Sequence, residues 1–575
     1  MCGIIGYSGA ETAREKLLHG LENLEYRGYD SAGVALWDHG SIQIIKTAGR
    51  LTNLRAACGD RCRDSRCGIG HTRWATHGIP NDTNAHPHRQ GRVTLVHNGI
   101  IENYRALRAR LEGEGYRFAT ETDTEIAAAL LDSHLKAEAP LAAIAAATAE
   151  MEGAYAFCML LEGEEDTVYG IRRGSPLIAA IDDCGCYIAS DVPAIIEYTR
   201  RYYLLEEEEI VRACHGELSF FHTDGTPLQK EPKTANWSVE QAQKGGYPCF
   251  MQKEIHEQPR ALADTIEGRT RDGFVSFAED GLPDGFFRDV TKLYISACGT
   301  AMYSGMVGKA IIEKLARLPV EVEVASELRY RDPIFTPGCA AIVVSQSGET
   351  ADTLAALRLF QENRIPVIAI VNVVGSSIAR EADYCLYTYA GPEIAVASTK
   401  AYSVQVAMMY LLGFRIAADK GAPEEWRRAQ LPKLLNTVSY LPKVLAMEGS
   451  LKLKEISYIH SEAYAAGELK HGTISLITEG TPVIALATQR RLLGKMISNV
   501  KEVKARGAHV LLITLEGLEI DPDCCDELLR LPAVEDEYVP LLLVVTLQLI
   551  ALGAAEVRGC DVDKPRNLAK SVTVE

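Results

Sequence analysis

"AAIVVSQSGETADTLAALRLF" (340–360) decides the fold of the second half of this chain. A short apolar run closes on Ser345 and reads as a strand buried on both faces. The Ser- and Gly-bearing turn after it opens a helical pattern. The same order recurs in "KLYISACGTAMYSGMVGKAI" (292–311) and "IPVIAIVNVVGSSIAREA" (365–382). Strand, polar turn and helix repeated in this way predict a doubly wound parallel sheet. A later block, running to the C-terminus, repeats strands in "TPVIALAT" (481–488) and "AHVLLITL" (508–515) as a second, weaker copy. Between Lys400 and Lys452 only helical patterns occur, and nothing answers "KLYISACGT". The second copy is therefore expected to lack its first strand, a loss of about thirty residues, close to one βα unit.

The first half is patterned differently. Short strands read from "CGIIGYSG" (2–9), "SAGVALWD" (31–38), "IQIIKTAG" (42–49), "RVTLVHNGII" (92–101), "AYAFCMLL" (154–161) and "CYIASD" (186–191). Helical stretches such as "ETDTEIAAALLDSHL" (121–135) interrupt them, giving a mixed α+β layer architecture. "KEPKTANWSVEQAQKGGYP" (230–248) is polar, carries Pro and paired Gly, and reads as a linker. The expected domains are 1–230, a linker at 231–250, 251–420 and a shortened 421–575 that ends in a catalytic tail.

At 575 residues the chain exceeds one core. A net charge of −17 argues against a nucleic-acid surface, which needs clustered Lys and Arg. No basic stretch followed by an apolar one opens the chain, so a cytoplasmic location without membrane attachment is expected. The apolar run "VPLLLVVTLQLIALGAA" (539–555) contains Thr546 and Gln548 and reads as a buried helix. Fifteen cysteines, an odd number, are expected to stay reduced there. "CGDRCRDSRCG" (58–68) lacks paired metal-ligand spacing, and no Walker-type loop occurs, so no metal or cofactor is expected.

Chemistry concentrates first at "MCG". A thiol is nucleophilic only as thiolate, and removal of Met1 would place an α-amine of pKa about 7.7–8.0 on the residue that carries it. In "GIGHTRWATHG" (68–78) Arg73 could clamp a carboxylate through its planar fork. "VHNGIIEN" (96–103) ends a strand with Asn98 and Gly99, a side-chain amide and a backbone N–H able to hold an oxyanion. Asp123 in "ETDTE" could meet an ammonium or simply cap a helix. In the second half, Ser345, Ser347 and Thr350 offer hydroxyls where a helix begins, an arrangement that binds phosphate. Lys452 and Glu455 share a helical face in "EGSLKLKEISYIH" (448–460). His471 follows in "GELKHG" (467–472), and Lys570 lies in "RNLAKSVTVE" (566–575).

"CGIIGY", "EYRGYDSAG", "HTRWATHG", "NAHPH", "HNGIIEN" and "ETDTE" together resemble the glutamine amidotransferase domain of the N-terminal-nucleophile hydrolases. More narrowly, the chain resembles the glutamine–fructose-6-phosphate aminotransferase (isomerising) family, the glucosamine-6-phosphate synthases. That resemblance implies an αββα sandwich glutaminase followed by two doubly wound sugar-isomerase (SIS) domains. It implies that Cys2 forms a glutamyl thioester and that Asn98 and Gly99 make the oxyanion hole. Arg73 and Asp123 would hold glutamine, Thr76 and His77 would line its pocket, and Trp74 would gate the ammonia path. In the isomerase half it implies a Schiff base at Lys570, proton transfer by Glu455 assisted by Lys452, and ring opening by His471 from a neighbouring subunit of a homodimer. Ser345, Gln346, Ser347, Thr350 and Ser398 would hold the sugar phosphate, with Thr300 nearby. The implied reaction turns L-glutamine and fructose 6-phosphate into glutamate and glucosamine 6-phosphate, the first step of amino-sugar synthesis.

Three features depart from the family pattern. Ala301 stands where a serine is usual, and one hydrogen bond to a charged group is worth about 1.5–3 kcal/mol, so sugar affinity is expected to fall about tenfold or more. Thr473 replaces a proline beside His471. The third is the missing strand. A sugar-phosphate-binding protein with glutaminase but impaired synthase activity is the alternative these departures raise. An amidophosphoribosyltransferase would need a phosphoribosyl-diphosphate loop with paired acidic residues, and "SQSGET" stands in its place.

Overall fold

The computed structural model describes residues 2–75, 78–235, 243–446, 456–566, 568 and 570. The chain forms two compact units. The first comprises Met1–Gly245, Glu349–Leu354 and Asn567–Glu575; the second comprises Gly246–Gly348 and Ala355–Arg566.

In the first unit two antiparallel sheets lie face to face. The eight-stranded sheet carries Gly3–Gly9 between Cys67–Arg73 and Gly185–Ala189. The seven-stranded sheet carries Val93–Ile101 between His88–Gln90 and Gly153–Leu161. Successive strand residues point to opposite faces, so neighbours serve different cores. Ile4 joins Ile69, Val96, Cys158 and Val168 between the sheets. Ile5 packs outward with Leu17, Leu21 and Leu24 of the helix Ala13–Leu24. The other outer face is covered by Asp123–Leu135 and Pro140–Ala149, through Ile126, Leu130, Ile144 and Ala147. Helix, sheet, sheet, helix is the expected sandwich.

The second unit holds a five-stranded parallel sheet in spatial order Val320–Val324, Lys292–Ala297, Cys339–Ser345, Val367–Val371 and Tyr384–Tyr387. Its opening strand, Lys292–Ala297, is followed in sequence by the strand on one side and then by the strand on the other. The chain therefore reverses direction between Lys292–Ala297 and Cys339–Ser345, and ligands of such sheets bind beyond the carboxyl ends at that point. Among the described residues two helices are long and apolar enough to cross a membrane, Lys400–Asp419 and Val539–Val557, but 83% and 61% of their apolar windows are buried inside the fold. The run at 539–555 is thus a core helix. Asp563 caps the helix Phe250–Glu267 by accepting from the Phe250 and Met251 amides at 2.8 Å each.

A three-stranded parallel sheet, Pro482–Ala487, His509–Leu515 and Glu527–Leu531, completes the unit. Among the described residues Pro482–Ala487 is paired on one side only. Its counterpart Cys339–Ser345 is paired on both sides and buried at every residue. In Pro482–Ala487 only Ala485 and Ala487 are buried, and Leu486 is 36% exposed. The segment 400–446 is helical, as Lys400–Asp419, Glu424–Ser439 and Leu441–Leu445. Unpaired apolar edges template intermolecular pairing. Leu486→Lys is expected to slow aggregation at 37 °C several-fold, read by light scattering, while leaving the thermal midpoint within about 2 °C, since exposed substitutions act weakly.

Candidate functional sites

The residues that the sequence singled out for glutamine converge where the two sheets of the first unit meet. Cys2 enters the strand Gly3–Gly9 opposite the end of Cys67–Arg73, because Gly3 registers with Thr72. The Trp74 amide donates to Cys2 Sγ at 3.1 Å, and the thiol lies 3.4 Å from the Trp74 carbonyl. Burial pushes the Cys2 thiol up, against the pull of the Trp74 amide and of Arg73. A base is therefore needed to make it a nucleophile. Arg73 ends its strand buried and donates to the Gly78 carbonyl at 3.2 Å. Burial lowers the Arg73 pKa; Cys2, Asp30 and Asp123 act in the opposite direction.

Asn98 and Gly99 come from the facing sheet. They do not end their strand, as "VHNGIIEN" led one to expect; Val93–Ile101 continues for two residues beyond Gly99. Asn98 Nδ2 donates to the Cys2 carbonyl at 2.9 Å, crossing between the sheets. Gly99 has φ +126°, and a Cβ there would lie 1.9 Å from the Ala154 carbonyl oxygen. Only glycine fits, and Gly99→Ala is expected to abolish glutamine hydrolysis with loss of soluble protein, checked by assay and size-exclusion profile.

Asp123 begins the helix Asp123–Leu135; Thr122 occupies the cap position. Asp123 Oδ2 accepts from the Ile101 amide at 2.9 Å, which ties this helix start to the Asn98–Gly99 strand. Thr76 and His77 lie outside the described residues. Trp74 meets Tyr29 edge to face, centroids 6.0 Å apart. Tyr29 Oη donates to the Leu568 carbonyl at 2.8 Å, so the tail bearing half-buried Lys570 belongs to this unit. Asp30 was not singled out from sequence, yet its carboxylate accepts from the Ala75 amide at 2.9 Å and its own amide donates to the Arg73 carbonyl at 3.0 Å. Its only sequence signal was its place in "EYRGYDSAG".

Behind Asn98 lies a packed group of imidazoles, His71, His86, His88 and His97, each at most 5% exposed. Burial depresses His71 to about 3 and holds His86 and His88 well below the ordinary range. These three stay neutral when folded, whereas the unfolded chain binds their protons below about pH 6.5. Stability is therefore full above that pH and falls as pH drops through it, by up to about 1.4 kcal/mol per pH unit for each histidine. The urea midpoint of the first unit is expected to fall steeply from pH 7 to pH 5, with net proton uptake on unfolding.

Of the candidate sugar-site residues, Thr300 and Ser345 stand at strand ends of the second unit, while Thr350 is counted with the first. Thr300 lies in the first turn of Gly299–Ala316, after Lys292–Ala297; Ser345 ends the adjacent strand. Ser345 Oγ accepts from the Gly348 amide at 3.0 Å and stabilises the turn that carries Gln346 and Ser347. At Gly348 φ is +67°, and a Cβ would meet Ser376 Oγ at 1.9 Å. Thr350 follows, one residue before the helix Ala351–Glu362. Half-buried Ser398 sits in a loop fixed by two buried carboxylates. Glu254 accepts from the Ile394 and Ala395 amides and the Thr399 hydroxyl; Glu393 accepts from the Thr399 and Ala401 amides. Ala301 is half-buried in the same helix turn as Thr300. His471 is exposed at the end of the short 3-10 segment Glu468–His471, and Thr473 starts the next, Thr473–Leu476. Lys452 and Glu455 lie outside the described residues. Among the described residues no group of three or more His, Cys, Asp or Glu side chains is placed to hold a metal ion.

The glutamine amidotransferase domain model matches residues 71–197, and the SIS domain model matches 286–415 and 442–558. A glutamine–fructose-6-phosphate aminotransferase (isomerising) of Clostridium acetobutylicum is 48% identical over 609 positions, covering the whole of both chains. The Thermus thermophilus protein of that name is 44% identical over 610, again over the full length of each. The solved C-terminal domain of a glucosamine–fructose-6-phosphate aminotransferase from Francisella tularensis matches 56% of this chain and 99% of its own, at TM-score 0.53 and 35% identity. The chain belongs to the glutamine–fructose-6-phosphate aminotransferase (isomerising) family. The alignment to the Clostridium relative runs over 609 positions against 575 residues here, so at least 34 of its positions have no counterpart.

Proposed function

We propose that the chain hydrolyses L-glutamine at Cys2 and uses the ammonia to aminate and isomerise fructose 6-phosphate to glucosamine 6-phosphate. The observation that carries this reading is full-length identity of 43–48% to enzymes of that name, together with Cys2, Arg73, Asn98, Gly99 and Asp123 meeting at one end of the sandwich.

With Met1 removed, the Cys2 α-amine takes the thiol proton and Sγ attacks the γ-carboxamide carbon of glutamine. Asn98 Nδ2 and the Gly99 amide hold the developing oxyanion, while Arg73 and Asp123 grip the α-carboxylate and α-ammonium. The amine returns its proton to departing ammonia, and water cleaves the thioester to glutamate. Trp74 gates the ammonia path. His471 helps open the sugar ring, and Lys570 forms a Schiff base at C2, from which ammonia displaces it. Glu455, assisted by Lys452, moves a proton from C1 to C2. The sugar phosphate rests on Ser345, Gln346, Ser347, Thr350 and Ser398, with Thr300 beside them. Exposure of His471 supports a histidine that serves a neighbouring subunit, and we assign the chain to a cytoplasmic homodimer working without metal or cofactor.

Glutamate and glucosamine 6-phosphate measured in one reaction test the reading. Both are expected from the wild type, and both disappear in Cys2→Ala. Glutamate without amino sugar would replace the synthase reading with the glutaminase-only alternative. Ala301→Ser is expected to lower the KM for fructose 6-phosphate about tenfold by adding one hydrogen bond to the phosphate.

A further inference from the structure

We propose that His71 is a positioning residue for glutamine hydrolysis, its Nε2–H fixing the Asn98 amide so that Nδ2 faces Cys2 and the reacting carbonyl. The proposal rests on the oxyanion reading of Asn98.

An asparagine amide fills nearly the same space in either orientation, but one presents a donor and the other an acceptor. Neighbours decide between them. His71 Nε2 lies 3.0 Å from the His97 carbonyl oxygen and 3.1 Å from Asn98 Oδ1. A backbone carbonyl can only accept, so Nε2 must carry the hydrogen. The Asn98 atom that shares this hydrogen must then be its oxygen. That leaves Nδ2 toward Cys2, where one of its hydrogens goes to the Cys2 carbonyl at 2.9 Å. The other is the one an oxyanion needs. A flipped amide would set NH2 against Nε2–H and oxygen against the Cys2 carbonyl, replacing two hydrogen bonds by two repulsions. It would also aim an acceptor at the oxyanion.

The tautomer is held as firmly as the amide. His71 is fully buried and its Nδ1 has no hydrogen-bond partner among the described residues. Its ring stacks on His86, centroids 4.2 Å apart and planes 17° apart. Arg73 and His97 also oppose a charge there, and burial keeps His71 neutral down to about pH 3. A neutral ring with its hydrogen on Nε2 is thus maintained across the working range.

The test uses full-length protein and steady-state glutamate release from glutamine. His71→Phe keeps the flat ring and removes the N–H; His71→Gln restores a donor near the same place. Losing one oxyanion donor costs about 10²–10³ in kcat, so an amide free to flip should cost about 10- to 100-fold. His71→Phe is expected to lose that factor in kcat with KM for glutamine nearly unchanged, and His71→Gln to recover most of it. The double variant with Asn98→Ala is expected to be no slower than Asn98→Ala alone, because both act through one group. Alkylation of Cys2 by iodoacetamide, which forms no oxyanion, should keep its rate. Should His71→Phe fail to fold, His71→Met carries the same comparison. Unchanged kcat in His71→Phe beside a crippled Asn98→Ala would overturn the proposal and leave the oxyanion reading standing. Losses that multiply in the double variant, or that equally slow alkylation, would assign His71 a merely structural role. Wild-type hydrolysis by Asn98→Ala would remove the oxyanion reading itself, and the proposal with it.

Discussion

One hydrogen-bonded chain, from His71 through the Asn98 amide to the Cys2 carbonyl, joins the two sheets of the first unit at its reactive end. Each sheet contributes what the other lacks. The eight-stranded sheet brings the thiol and Arg73; the seven-stranded sheet brings Asn98, Gly99 and the tie to Asp123. Sandwich cores such as Ile4, Ile69, Val96 and Val168 fix the spacing between sheets but are non-directional. Hydrogen bonds fix orientation. With the polar end so constrained, Gly99 must pass its backbone against Ala154, and no side chain can be accommodated there.

The second unit depends on a different constraint. A parallel strand is stable when both edges are paired and both faces covered. Cys339–Ser345 meets those conditions and ends in a rigid turn built on Ser345 and Gly348. Pro482–Ala487 lacks a described partner on one side and leaves Leu486 partly in solvent. The alignment to the Clostridium chain leaves at least 34 positions without a counterpart here. The SIS model still matches 442–558, so what remains is recognisably the second copy.

Much of this was legible in sequence because it is local or periodic. Buried apolar runs with Ser-Gly turns marked the parallel sheet, and the helical patterns after Lys400 match the helices Lys400–Asp419, Glu424–Ser439 and Leu441–Leu445. Asn98 and Gly99 were found by residue type, but their place inside a strand was not. Turn propensity of "HNG" is a local preference, and pairing of Val93–Ile101 with Gly153–Leu161 overrides it. His71 was passed over for a related reason. A histidine in an apolar strand reads as core, and what distinguishes it is a contact with a residue 27 positions away. Asp30 was missed similarly, since its partners Arg73 and Ala75 are distant in sequence.

The two constraints separate the chain's vulnerabilities. The described partners of Cys2 and Asn98, Trp74 and His71 among them, lie inside Met1–Gly245. In the second unit Pro482–Ala487 follows the short segments Glu468–His471 and Thr473–Leu476, where His471 is exposed. Proline at position 473 would restrict the backbone next to that histidine; Thr473 leaves it freer. The edge strand and the freer loop thus lie close to one histidine in sequence. In the reaction proposed above, that freedom would bear on sugar-ring opening rather than on ammonia production.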